Sequence, residues 1–126
     1  MTDIDITLPE RCQNCTVPRT ACEKSLPQIC GVCQTQKLLS GKWKFLLLWL
    51  LNDGTKRFSE IYKLVPGITQ TVLTKQLREL EADGFISRYV YQEVPPKVEY
   101  SLTEKGESFI PILEKMADWG MKSFGT

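Results

Sequence analysis

Five cysteines lie close together near the start of the chain, and clustered thiols can perform several kinds of chemistry. They fall within 22 consecutive positions, and no cysteine follows them. Ionised thiols bind soft metal ions and are also readily oxidised. The clustering therefore predicts either a metal site or an oxidation-sensitive switch. The residues concerned are Cys12, Cys15, Cys22, Cys30 and Cys33.

Two Cys-x-x-Cys pairs favour the metal alternative. Cys12/Cys15 and Cys30/Cys33 are separated by fourteen residues, which is close to the spacing of two-knuckle zinc sites. Four thiolates can close a tetrahedral zinc shell, and clustered cysteines can also hold an iron–sulfur cluster. Cys22 is then a fifth thiol that a four-ligand zinc site does not need.

The position of Cys30 favours a thiol switch. The helical pattern begins near Gly31, so Cys30 is expected at or just before the start of the first helix. The positive end of a helix dipole lowers the pKa of a thiol placed there. The thiolate would be oxidised first and could pair with Cys33, with another cysteine or with a partner subunit. We place redox sensing first and metal binding second, and oxidation that ejects a bound metal makes the two compatible.

A second set of polar residues recurs with helical spacing between positions 70 and 78. Leu73, Leu77 and Leu80 define one face of this helix, which is expected to be buried. Hydroxyls and cations share another face, and such side chains suit base edges and phosphates. We predict that this second face contacts DNA. Its residues are Gln70, Thr71, Thr74, Lys75 and Arg78.

The segments on both sides of this helix complete a winged helix-turn-helix. A short helix from Ser59 to Val65, capped by Ser59, precedes the turn Pro66-Gly67, and Thr69 is a suitable N-cap for the second helix. After it, two strands are predicted, with the pair Pro95-Pro96 at the tip between them. The predicted fold is mainly α (α+β), with a two-stranded wing and terminal dimerisation helices.

Further cations lie near helix starts and in the wing, where they are placed to neutralise phosphates. The first group is Lys42, Lys56 and Arg57, and the wing pair is Arg88 and Lys97.

Two apolar segments predict the core and a subunit interface. Residues 42–51 are apolar nearly all round, so Trp43, Phe45 and Trp49 are expected in the core. The last helix begins near Glu104, capped by Thr103, and its apolar arc is broader than one small core requires. This breadth predicts a homodimer, which would match two-fold DNA half-sites. The predicted interface residues are Phe109, Leu113, Met116, Met121 and Phe124.

Composition narrows the function classes. The chain has 126 residues, of which 42% are hydrophobic, and a formal net charge of +1; this predicts one globular domain, residues 30–126, after a Cys-rich arm, residues 1–29. The near-zero charge itself lends no support to DNA binding. The apolar runs are too short to span a bilayer, and the first residues lack a secretory signal, so a cytoplasmic protein is expected.

The residue types also argue against an enzyme. The chain has no histidine, which removes histidine bases and Cys-His nucleophile pairs. A Cys-x-x-Cys thiol oxidoreductase normally carries its motif after a strand in a βαβ unit, and no such unit is predicted. A winged helix that binds a protein partner is another alternative. Cations on the second helix and at the wing favour double-stranded DNA.

Several motifs, in this order and spacing, resemble the HxlR (DUF24) family of bacterial and archaeal regulators, a branch of the MarR-like winged-helix proteins. They are SGKWKFLLLWLL, RFSEI, PGITQTVLTKQLRELEADGFISR and VPPKVEYSLTEKG. The resemblance covers roughly Cys30 to the C-terminus. It implies homodimers that bind palindromic operators through the second helix, with the wing touching the minor groove or flanking phosphates.

The resemblance also implies a sensing cysteine ahead of the Gly-Lys-Trp motif. That position is Cys30, thirteen residues before Trp43. Family members usually have proline after this cysteine, whereas this chain has Gly31, and the usual first glycine of Gly-Gly-Lys-Trp is Ser40. The additional cysteines of the arm also depart from the family pattern. We therefore predict a sequence-specific DNA-binding regulator, expected to act as a repressor, that responds to oxidation at Cys30 and Cys33.

Overall fold

The computed structural model describes the backbone of residues 27–125 and the side chains of residues 31–125. This part of the chain contains five helices and a small three-stranded antiparallel sheet. The mainly helical fold with a small sheet that the sequence predicts is therefore confirmed. In chain order the elements are α1 (Pro27–Leu38), α2 (Lys44–Leu51), β1 (Lys56–Arg57), α3 (Phe58–Leu64), α4 (Gln70–Ala82), β2 (Ile86–Tyr91), β3 (Lys97–Leu102) and α5 (Glu104–Phe124).

The chain divides after Gly41 into two compact units. The first unit contains α1, which begins at Pro27. Proline is favoured in the first turn of a helix because its φ is preset and its missing N–H would lack a partner there anyway. The helix thus starts earlier than expected, and Cys30 is its fourth residue rather than a residue ahead of it. The predicted arm, residues 1–29, lies almost wholly outside the described residues.

The second unit is built around α2, whose apolar residues are buried on one side only. Trp49 is 38% exposed and Leu46 is 40% exposed, while Trp43 and Phe45 are half-buried. The prediction that this helix is buried nearly all round, with Trp49 in the core, is therefore wrong for a single chain. One face of this short helix packs against the core of the second unit, and the opposite face stays accessible in a single chain. The buried residues of α2 are Lys44, Leu47, Leu48 and Leu51.

The helix-turn-helix consists of α3, a turn through Pro66 and Gly67, and α4. The predicted N-cap of α4 is confirmed, because the Thr69 hydroxyl accepts a hydrogen bond from the N–H of Val72 at 3.1 Å. The leucine row of α4 is also confirmed as its core-facing side. Leu73, Leu77 and Leu80 are almost completely buried.

The start of α3 differs from the prediction. The helix begins at Phe58, and Arg57 rather than Ser59 is its N-cap residue. The backbone N–H of Arg57 donates to the Glu60 carboxylate at 2.7 Å, so the glutamate at the third helical position satisfies the helix start. The apolar residues of this segment divide: Ile61 and Val65 are buried, whereas Leu64 is 51% exposed.

The wing is a hairpin of β2 and β3, with β1 added on the far side of β3, giving the strand order β1-β3-β2. Arg88 pairs with Tyr100, and Tyr91 pairs with Lys97. Pro95 and Pro96 lie between the strands, as predicted. The two-residue strand β1 was not predicted, because a segment that short shows no alternation of polar and apolar residues.

Helix α5 begins against the loop that follows α4. The predicted cap Thr103 is confirmed, since its hydroxyl accepts a hydrogen bond from the N–H of Gly106 at 3.1 Å. Early in the helix, the ring of Phe109 stacks on Phe45 at 5.8 Å between centroids and meets Phe85 edge-on at 6.5 Å. These contacts join α5 to α2 and close the core of the second unit.

Candidate DNA-binding surface

The outer face of α4 forms an open groove, here called the recognition groove. The five residues predicted to contact DNA all lie along it, which places amide, hydroxyl and cationic groups on one continuous surface. Its opposite side is the buried leucine row, so this surface points away from the core. The lining residues are Gln70, Thr71, Thr74, Lys75, Arg78 and Glu79.

Glu79 is the member of the recognition groove that the sequence analysis missed. Its carboxylate lies 2.8 Å from the ammonium of Lys44, whose side chain is only 7% exposed. The hydrogen bond and the charge of Lys44 lower the pKa of Glu79, burial opposes them with a smaller effect, and Lys75 adds a minor further lowering. The carboxylate is therefore ionised at neutral pH, and its charge is balanced from beneath. A lysine within an apolar run was the sequence signal that something acidic faces it.

The wing carries its two predicted cations on opposite faces. The register puts Lys97 on the same face as Tyr91, and Arg88 on the face of its partner Tyr100. Lys97 lies 3.4 Å from the Glu99 carboxylate and 4.7 Å from the centre of the Tyr91 ring. Lys97 is thus held in place by its neighbours, whereas Arg88 is exposed.

A hydrogen bond fixes the acidic member of this wing cluster. The Tyr91 hydroxyl donates to Glu99 at 2.8 Å. This bond lowers the pKa of Glu99 and raises that of Tyr91; Lys97 further lowers the pKa of Glu99, and burial opposes that change. The face that includes Lys97 is therefore a mixture of charges rather than a purely cationic surface.

The other predicted phosphate contacts lie outside the recognition groove. Lys42 is exposed and its ammonium lies 4.8 Å over the ring of Trp43. Lys56 and Arg57 form β1, so they lie on the sheet opposite Tyr100 and Glu99 of β3. These three cations are accessible at least in part, but none of them lines the recognition groove.

A second surface is apolar and lies between α2 and α5. Leu46 and Trp49 of α2 face Met116 and Ala117 of α5, with Phe45 and Leu113 at the base. We call these six residues the α2–α5 groove. Beyond it, nearly every residue of α5 from Glu114 onward is exposed.

The predicted subunit-contact residues divide between the core and this surface. Phe109 and Leu113 are buried within the chain itself, so they serve its own core, whereas Met116, Met121 and Phe124 are exposed. Two exposed residues were missed, Ile112 and Trp119. Ile112, Met116 and Trp119 lie at i, i+4 and i+7 of the helix, a spacing that places them on one face and could have been recognised from the sequence.

The cysteine predictions fall mostly outside the described residues. Cys12, Cys15 and Cys22 are not described, and of Cys30 only the backbone position in α1 is known. Cys33 is buried within the described part of the chain. Among residues 31–125, no three Cys, Asp, Glu or His side chains approach closely enough to hold a metal ion. This range contains just one of the five cysteines.

A helix-turn-helix with a polar outer face on its second helix, followed by a β-hairpin wing, defines a winged-helix DNA-binding protein. The model of the HxlR-like helix-turn-helix family matches residues 38–126, and the chain belongs to this family. It is therefore a DNA-binding transcriptional regulator of the helix-turn-helix type rather than an enzyme. None of the described helices is both long and apolar enough to cross a membrane.

Relatives agree with this assignment. The chain is 58% identical over 93 residues to the HTH-type transcriptional regulator YdeP of Bacillus subtilis (strain 168), which covers 74% of this chain and 73% of that protein. It also resembles the redox regulator HypR in its reduced form, with a TM-score of 0.71 and 52% identity over 73% of this chain and 91% of HypR. The oxidised form of HypR gives the same TM-score and identity over 75% and 97%.

Proposed function

We propose that this regulator binds a palindromic operator as a homodimer, reads base edges with the recognition groove, and responds to oxidation through Cys30. The recognition groove is the observation that supports DNA binding. Its amide, hydroxyl and cationic side chains face away from a leucine row that anchors the helix. Such groups match the donors and acceptors of the major groove and the charge of the phosphates.

Arg78 and Lys97 are expected to make different kinds of contact. Arg78 lies in the recognition groove, where a guanidinium can donate two hydrogen bonds to guanine. Arg78→Ala should therefore relax the preference for one base pair per half-site by about 1–3 kcal/mol. Lys97 lies on the wing and would contact phosphate. Lys97→Ala should therefore weaken binding to all duplexes alike, and the slope of log affinity against log salt concentration should become about one unit shallower.

Titration of matched and randomised duplexes at several salt concentrations measures both effects. Lys122→Ala is the control, because it removes a cation from the last turn of α5, far along the chain from the helix-turn-helix. It should leave the base preference unchanged. Unchanged operator affinity in both Arg78→Ala and Lys97→Ala would show that DNA docks elsewhere.

The homodimer is supported by the apolar surface that a single chain leaves open. The α2–α5 groove and the projecting end of α5 expose Trp49, Met116 and Trp119 in part. Exposed apolar patches of this kind commonly mark protein interfaces. A two-fold dimer through this surface would present two recognition grooves to two half-sites of one operator.

The thiol response is supported by the position of Cys30 and by the likeness to HypR, a redox regulator. Cys30 lies in the first turn of α1, where the helix dipole favours the thiolate. The thiolate sulfur would be oxidised to a sulfenic acid by a peroxide, and attack by a second thiol would then form the disulfide with loss of water. Cys33 is one candidate for that second thiol.

A metal site at the Cys-x-x-Cys pairs is the competing proposal for the same cysteines. Metal analysis of protein purified without oxygen, combined with a count of reactive thiols under denaturing conditions, distinguishes the two. We expect five titratable thiols and no bound metal, with loss of DNA binding on peroxide treatment in the parent but not in Cys30→Ser. One zinc or several irons per chain would overturn the thiol switch in its simple form.

A further inference from the structure

We propose that Glu79, held in place by the buried Lys44, reads a cytosine in the major groove and is a specificity-determining residue of this regulator. The inference rests on the proposed DNA-binding mode of α4. It assigns a role to an acidic residue that would otherwise only repel phosphates.

The first observation is where Glu79 lies. It lines the recognition groove together with Thr71, Lys75 and Arg78, and 40% of its side chain is exposed. DNA that occupies this groove would therefore come within reach of the carboxylate. Glu81, two residues further along the same helix, is exposed but does not line the groove.

The second observation is what lies beneath Glu79. In residues 31–125, Lys44 is the one charged residue that is buried, at 5% exposure. Its ammonium lies 2.8 Å from one carboxylate oxygen of Glu79. Removing a lysine from water is costly, and buried ion pairs are often no more stable than apolar replacements. This ion pair therefore points to a role in fixing the orientation of the carboxylate rather than in stability alone.

The pair also changes how DNA meets the groove. An unpaired carboxylate would repel the phosphates on both sides of the major groove, but the adjacent ammonium balances its charge. A carboxylate has about four acceptor positions, so the bond to Lys44 leaves capacity for another donor. In the major groove, the N4 amine of cytosine is the donor that glutamate typically accepts from.

The neighbouring residue makes this assignment chemically consistent. Arg78 can donate to guanine O6 and N7, while Glu79 can accept from cytosine N4. Two adjacent side chains of opposite charge can therefore recognise G·C-rich steps, with the guanidinium as donor to guanine and the carboxylate as acceptor from cytosine. Lys44 acts on this contact as a positioning residue, since it touches Glu79 and not the DNA.

Selection of bound sequences from a pool of randomised duplexes, with the full chain under reducing conditions, tests the assignment. We expect the parent to select a motif with a cytosine at a fixed place in each half-site. Glu79→Gln should keep the rest of the motif but lose about tenfold of its preference for that cytosine. Glu81→Gln, which removes the same charge from the same helix, should select the parent motif.

Lys44→Met tests the positioning role, because it leaves the carboxylate in the groove without its anchor. The same cytosine preference should fall although Glu79 is intact. If circular dichroism shows that Lys44→Met does not fold, the comparison of Glu79→Gln with Glu81→Gln alone decides whether Glu79 reads the cytosine.

Three results would overturn the inference. In the first, Glu79→Gln selects the parent motif. In the second, Glu79→Gln binds every duplex more weakly by the same factor and keeps the parent motif, which would mean that the ion pair only stabilises the helix. A parent protein that selects no motif at all would instead refute the proposed function, and this inference with it.

Discussion

Gly106→Ala is expected to destabilise the winged unit by about 2–3 kcal/mol, even though alanine is the better helix former. A Cβ atom at this position would collide with the carbonyl oxygen of Phe85 and approach the Leu102 side chain to 3.1 Å. The carbonyl cannot easily retreat, because it accepts a hydrogen bond from the N–H of Thr103 at 3.0 Å. The added methyl group therefore has to displace the backbone at Phe85.

The same junction holds the end of the recognition helix. The Thr103 hydroxyl donates to the carbonyl of Gly84 at 2.6 Å, and the ammonium of Lys105 donates to the carbonyl of Asp83 at 2.8 Å. The start of α5 is thus bonded to three consecutive residues after α4. Displacing Phe85 should shift the last turn of α4, so we expect Gly106→Ala to weaken operator binding as well.

Urea unfolding at fixed protein concentration, under reducing conditions, measures the change in the free energy of unfolding. Gly31→Ala is the control, because it places a Cβ on another helical glycine that has no heavy atom within 4 Å. The control should leave the stability unchanged or raise it by up to about 1 kcal/mol. Equal stabilities of the two variants would contradict the close contact at Gly106.

The elements that the sequence predicts correctly are those with strong local signals. Helix α4 combines a cap at Thr69, a leucine row and a glycine at position 84 after its end, and each of these signals depends on neighbours in sequence. The wing tip follows from Pro95 and Pro96, which cannot donate hydrogen bonds within a ladder. The five predicted residues of the recognition groove share one surface for the same reason.

The features that were missed depend on contacts between distant segments. Nothing near Glu79 in sequence indicates that Lys44, 35 positions earlier, lies beneath it. Likewise, the apolar arc of α5 does not reveal which of its residues serve the chain's own core. Phe109 does so because Phe45 and Phe85 happen to flank it, whereas Met116 lies beyond that cluster and remains exposed.

That division makes Met116 the residue through which the proposed dimer is best tested. It lies in the α2–α5 groove beside Leu46 and Trp49, so Met116→Glu places a carboxylate where the partner subunit would pack. Burying an unpaired charge costs about 3–5 kcal/mol. We therefore expect the dimer dissociation constant to rise by about 100-fold or more. Operator affinity should fall with it, because a monomer engages one half-site instead of two.

Lys115→Glu is the matched control, since it introduces the same carboxylate at the adjacent, exposed position, which does not line the α2–α5 groove. Sedimentation equilibrium and operator titration should show Lys115→Glu as a dimer that still engages both half-sites, and Met116→Glu as largely monomeric at micromolar concentration. Because Met116 is 44% exposed in the single chain, the substitution should leave helicity and the folded monomer intact. A Met116→Glu protein that remains a dimer of unchanged affinity would place the subunit contact on another surface, and the two recognition grooves would then need a different spacing.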